Sequence, residues 1–148
     1  MEDLVTIETG KLAKEKGFDE PCVAFYDSYN GANHLFLTTR VKSTFLGKML
    51  NIIPERIFVN HSHLEYVEGN NTTLAPTQAQ LQKWLRDEHK LRVFVTQGIS
   101  GNFNFEIYKW NYDNQIGKWE RIGNISSVAT YEDALEKGLI NALNLIEL

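Results

Sequence analysis

Apolar side chains recur along the chain at two spacings, and each spacing marks a class of element. A period of two is clearest over residues 103–112, where Phe103, Phe105 and Ile107 share one side of a strand and Tyr108, Trp110 and Tyr112 share the other. Residues 113–117 read as a loop and 118–122 as a returning strand, so the stretch predicts a hairpin. Just upstream, Leu91, Val93 and Val95 alternate with Arg92, Phe94 and Thr96 as a half-buried strand, and residues 98–102 turn the chain. A second hairpin is expected nearer the N-terminus, with strands at 22–26 and around 34–38 flanking the turn-prone residues 27–31.

Helical spacing is well marked in three places. Thr6 caps a first helix through Lys16, which Gly17 and Phe18 then stop, glycine taking the left-handed position and Phe18 the apolar contact beyond it. Pro76 opens a helix that runs to about His89 with Leu81, Trp84, Leu85 and Glu88 on one side. Thr130 with Asp133 resembles a capping box ahead of a stripe of Ala134, Leu135, Gly138, Leu139, Ala142, Leu143 and Ile146. Between these, Ser43 caps a helix that Pro54 ends, residues 56–59 read as extended and residues 68–71 as a loop. Strands and helices do not alternate regularly. The pattern therefore predicts an α+β fold: antiparallel β-hairpins with about three α-helices packed on one face.

Charge narrows the function classes. With 15 Lys+Arg against 19 Asp+Glu, the net charge of -4 argues against a chain built to wrap phosphate backbones. The single cysteine, Cys22, excludes an internal disulfide and any zinc site built on paired cysteines. Without a run of about 18 apolar residues or a basic leader, a cytoplasmic chain with no membrane span is expected. No Pro/Gly/Ser-rich linker interrupts it, so residues 1–148 are expected to form a single domain.

Three segments form a familiar set: Gly17-Phe18-Asp19-Glu20-Pro21-Cys22, residues 75–86 from Ala75-Pro76-Thr77 to Trp84-Leu85-Arg86, and residues 131–139 from Tyr131-Glu132-Asp133 to Gly138-Leu139. Together they resemble short uncharacterised proteins of phages and mobile elements of gut anaerobes and their hosts. The resemblance covers roughly residues 4–27, 75–96 and 130–146, and leaves 40–74 as an insertion. It implies a phage-related intracellular origin and nothing about mechanism, and it brings no functional residues to carry over.

The common catalytic and cofactor-binding devices are missing. Gly98-Ile99-Ser100-Gly101 lacks the residue a nucleophile elbow places between Ser and the second Gly, and neither a Walker loop nor a dinucleotide turn occurs. His61 and His63 would share one side of an extended stretch, yet His34, His89 and scattered carboxylates supply no logic for a third or fourth ligand. No metal and no cofactor is expected. The adjacent carboxylates Asp87-Glu88 and Glu132-Asp133 read as solvated helix faces and helix-terminus charge.

One surface stands out. With the hairpin loop centred on residues 114–116, Tyr112 lies opposite Trp119 and Trp110 opposite Arg121, which gathers Tyr108, Trp110, Tyr112, Trp119 and Arg121 on one side. Ile122 then joins Phe103, Phe105 and Ile107 on the core side. Trp, Tyr and Arg dominate binding hot spots, so an uncovered face of this kind marks an interface. The plainer alternative is that another part of the chain covers the rings, or that they only brace the strands. Two binding functions follow: a protein-binding module that engages a host protein or a second copy of itself, or a single-stranded nucleic-acid module. The latter would stack bases on the rings and hold phosphates with Arg40, Lys42, Lys48, Arg56 and Arg121. The negative charge favours the first, and an enzyme whose site is assembled across the fold is a third possibility.

Overall fold

A computed structural model describes residues 3–20, 22, 24–29, 32–37, 72–113 and 116–147. The helix expected at 43–53, the strand at 56–59, the loop at 68–71, both His61 and His63, and the basic residues Arg40, Lys42, Lys48 and Arg56 lie outside the described residues. The described residues confirm an α+β fold with antiparallel sheets, and the chain divides into two compact units, Met1–Ala79 and Gln80–Leu148.

In the first unit, helix α1 (Ile7–Glu15) begins and ends as its caps dictate. The Thr6 hydroxyl accepts a hydrogen bond from the Thr9 N–H, satisfying one orphan donor of the first turn. At the other end Gly17 sits at φ 93°, and the N–H groups of Gly17 and Phe18 reach back to the carbonyls of Lys14 and Ala13. This is a Schellman closure, and Phe18 is buried as its apolar contact.

Strands β1 (Ala24–Tyr29), β2 (Ala32–Leu37) and β3 (Thr72–Leu74) form an antiparallel sheet in the order β2-β1-β3. Here β1 continues to Tyr29, through residues expected to turn, because Asp27, Ser28 and Tyr29 pair with His34, Asn33 and Ala32. The pairing therefore runs on to Tyr29 opposite Ala32, three residues past the strand end expected at Tyr26. Helix α1 lies close against β3: a Cβ on Gly10 would stand 2.7 Å from the Leu74 carbonyl oxygen. The N-terminal arm also pairs with the segment after β3. Val5 N–H donates to the Pro76 carbonyl, Leu4 bridges Thr77, and Gln78 N–H donates to the Asp3 carbonyl. That pairing claims Pro76 and Thr77, so the next helix starts at Gln78 rather than at Pro76.

Helix α2 (Gln78–His89) buries Leu81, Trp84 and Leu85, while Glu88 is exposed. Lys90, at φ 56°, breaks the helix and leads into the second sheet. That sheet comprises β4 (Leu91–Gln97), β5 (Phe103–Asp113) and β6 (Ile116–Val128), antiparallel in the order β4-β5-β6. Gln82 donates to the Val93 carbonyl at 2.6 Å, so a helix side chain satisfies an acceptor of edge strand β4. Helix α3 (Tyr131–Asn144) starts at Thr130, whose hydroxyl accepts from Asp133 N–H, and its whole expected stripe is buried. It packs on the sheet face formed by Leu91, Val93, Phe105 and Ile107. The approach is possible because Gly138 lacks a side chain: a Cβ there would lie 2.5 Å from Val93 Cγ1 and 3.1 Å from Phe105 Cβ.

β6 is 13 residues long where five were expected. Two register shifts let it run that far. Ile107 pairs with Gly123 and Tyr108 with Arg121, which leaves Ile122 as an extra residue, and Ser127, at φ 85°, is a second one. Such bulges bend and twist a long edge strand. Among the described residues, no helix is long and apolar enough to cross a membrane.

Candidate binding surface

The face of the second sheet opposite α3 is built by period-two geometry from all three strands. Across it, Arg92 of β4, Tyr108 of β5 and Arg121 of β6 lie in one row, because Arg92 pairs with Tyr108 and Tyr108 with Arg121. The next row toward the hairpin tip is Trp110 opposite Trp119, followed by Tyr112 opposite Gly117. In the other direction Phe94 lies opposite Glu106. The five expected residues, Tyr108, Trp110, Tyr112, Trp119 and Arg121, thus do share one face.

Their pairing differs from the expectation. Trp110, not Tyr112, faces Trp119, and Arg121 faces Tyr108. Asp113 pairs with Ile116 and Tyr112 with Gly117, within the stretch expected to loop. The resulting slip is two residues, which keeps every side chain on its original side; a slip of one would have reversed the faces. Ile122 is also corrected: as the bulge residue it is 41% exposed rather than part of the core.

β4 begins its pairing at Leu91 opposite Lys109, so beyond that point β5 and β6 continue as a two-stranded arm. One side of the arm carries Trp110, Trp119 and Tyr112. The other carries Lys109, Asn111, Lys118 and Glu120, where Asn111 Nδ2 donates to the Glu120 carboxylate at 2.6 Å and Lys118 Nζ stands 2.8 Å from it. Those contacts hold the Glu120 carboxyl below its ordinary pKa.

The rings pack chiefly on one another. Trp110 meets Trp119 edge to face at 5.2 Å between centroids, and Tyr112 at 5.9 Å. Phe94 meets Tyr108 in the same way at 5.6 Å. These are the geometries that the aromatic quadrupole prefers. The Trp110 indole lies directly over Gly117, so closely that a Cβ would overlap it. The Arg92 guanidinium stacks on Trp119, with Cζ 4.2 Å from the ring centroid. Trp110, Trp119 and Tyr108 are consequently half-buried, whereas Tyr112 is 79% exposed and Phe94 44%.

Charges on this face are unevenly satisfied. Glu106 accepts from the Tyr108 hydroxyl at 2.9 Å and sits 3.4 Å from Arg121 Nη1. The carboxylate at its hydroxyl holds Tyr108 above the ordinary tyrosine pKa. Arg92 has no such partner among the described residues. Its Nε is buried without a hydrogen bond, the residue as a whole is half-buried, and no carboxylate of the described residues lies within 4.0 Å of its guanidinium.

Arg92, Phe94, Glu106 and Gly117 were missed by sequence reasoning. The alternation in 91–96 already put Arg92 and Phe94 on the side away from the core; what was lacking was the knowledge that β4 lies beside β5. Nothing local marks Gly117 as the floor beneath an indole.

Other candidate chemistry stays dispersed. Asp87 is exposed and paired with Arg86 and Lys83, and residues 98–101 turn between two strands rather than between a strand and a helix. The Cys22 thiol is buried and donates to the Glu20 carbonyl; burial first, and Glu20 second, push its pKa up to about 12, far from a nucleophilic thiolate. Among the described residues no group of three His, Cys, Asp or Glu side chains is arranged to hold a metal. An open cleft of about 360 Å³ lies at the C-terminal end of α3, lined by His89, Leu91, Lys109, Ile122, Ile146 and others. No protein-family model matches the chain, and no curated protein or solved structure shows significant similarity to it.

Proposed function

We propose that the chain is a non-catalytic protein-binding module that engages a host protein, or a second copy of itself, through the outer face of the β4-β5-β6 sheet. The observation that carries this reading is the ring and guanidinium cluster on the face opposite α3, extended along a two-stranded arm. Aromatic and arginine side chains at the centre of such a patch are the residue types that supply most binding energy in protein interfaces. The resemblance to phage-borne proteins favours a partner in the host cytoplasm.

Base stacking is the less favoured use of the same rings. It needs free ring faces, and here Arg92 occupies a face of Trp119 while the Trp110 indole lies against Gly117. Single strands should therefore cause no mobility shift at low salt.

The test compares the immobilised full chain with its Tyr112→Ala and Trp110→Ala variants in host lysate, alongside sedimentation of each protein alone. A partner, or a dimer, present with the wild type and lost in both variants is expected. Equal capture by all three proteins and monomers throughout would sink the proposal.

A further inference from the structure

Resting on the reading of the outer face as a protein-binding surface, we infer that its partner presents a carboxylate flanked by apolar side chains, and that the guanidinium of Arg92 receives it. Three observations converge on Arg92. It is central in the face, in the row of Tyr108 and Arg121 and stacked on Trp119. Of the two arginines in that row, Arg121 already has Glu106, whose other carboxylate oxygen accepts from the Tyr108 hydroxyl. Among the described residues Arg92 alone of the two lacks an acceptor: its Nε is shielded and unbonded, and the terminal amino groups, which have no hydrogen bond there, are the donors left for a ligand.

The chemistry of that arrangement selects an anion with a planar, two-oxygen edge. A guanidinium offers two parallel N–H groups, and a carboxylate accepts both. Contact with the Trp119 ring restrains the guanidinium before the ligand arrives, so less side-chain entropy is lost on binding. Residues next to the carboxylate would then rest on Tyr112 and Phe94, the two most exposed rings of the face. A phosphate could engage the same guanidinium, but the covered faces of Trp110 and Trp119 leave its bases only Tyr112 and Phe94 to stack on, so an acidic, apolar peptide is the better fit.

The experiment follows the indole N–H resonances of the full-length protein by NMR, which separates Trp119 and Trp110 from Trp84. Three probes are titrated to millimolar concentration: a peptide alternating Glu with Leu and Phe, the same peptide with Gln for Glu, and a twelve-residue oligothymidylate. The acidic peptide should shift the Trp119 and Trp110 signals saturably and leave Trp84 in place. Its affinity should exceed that of the Gln peptide by about tenfold, as expected for a hydrogen bond to a charged group. Arg92→Gln should remove that preference and Arg92→Lys should retain part of it, whereas Lys137→Gln, at an exposed position of α3 away from the face, should change affinity less than about threefold. Equal binding of acidic and Gln peptides would overturn the inference while leaving the protein-binding reading intact. So would an acidic preference that survives Arg92→Gln. Tighter binding of the oligothymidylate would overturn both, and no binding of any probe would overturn the inference.

Discussion

The two faces of the β4-β5-β6 sheet are both rich in apolar side chains, yet they are held by different means. On the inner face, Val93, Phe105 and Ile107 are almost wholly buried beneath α3, whose Gly138 lets helix and sheet close to van der Waals contact. On the outer face the rings bury one another only in part, and a cation replaces the covering helix. Aliphatic side chains without polar atoms gain most by leaving water completely, so they need a second layer. Rings with a hydroxyl or an indole N–H can pack laterally and keep one edge wet. Composition alone therefore does not say which face is the core; the distinction lies in which side chains tolerate being half covered.

The comparison yields graded expectations. The largest concerns the inner face: Ile107→Ala should lower stability by about 2–5 kcal/mol, read by urea denaturation, because it deletes a fully buried side chain. Gly138→Val should cost about 1–3 kcal/mol or more, since any side chain there collides with Val93 and Phe105. On the outer face the close approach lies beneath a ring that can swing away. Gly117→Ala should displace the Trp110 indole, cost roughly 1–2 kcal/mol, and change the near-ultraviolet signal of the tryptophans. A double-mutant cycle between Trp110 and Trp119 should return a coupling of about 0.5–1.5 kcal/mol; a value near zero would mean the rings are neighbours without being partners. The smallest effect belongs to Tyr112→Ala, within about 0.5 kcal/mol of wild type, as expected of an exposed side chain. A much larger loss would show that the outer face is a second core.

Burial has a pH signature in the first unit. The folded-state pKa of Cys22 stands near 12, above the 9.0 of the unfolded thiol. The stabilisation linked to it is complete below pH 9 and falls as pH rises toward 12, because the unfolded chain releases its proton first. Native protein at pH 8 should resist iodoacetamide, and urea-unfolded protein should react; rapid native labelling would contradict the burial.

Much of this molecule was legible in its sequence, and the legible parts are of one kind. The caps at Thr6, Gly17 and Thr130 involve groups no more than five residues apart, so composition and order suffice to place them. The division of residues 103–112 into two faces follows from the pleat of any strand, whatever it pairs with. What the sequence could not decide is pairing, which depends on groups distant along the chain. Only the tertiary structure set β3 beside β1, extended β6 through two bulges, moved the register by two residues and brought β4 next to β5. That last placement put Arg92 over Trp119, and with it the one cation of the outer face that still has no acceptor among the described residues.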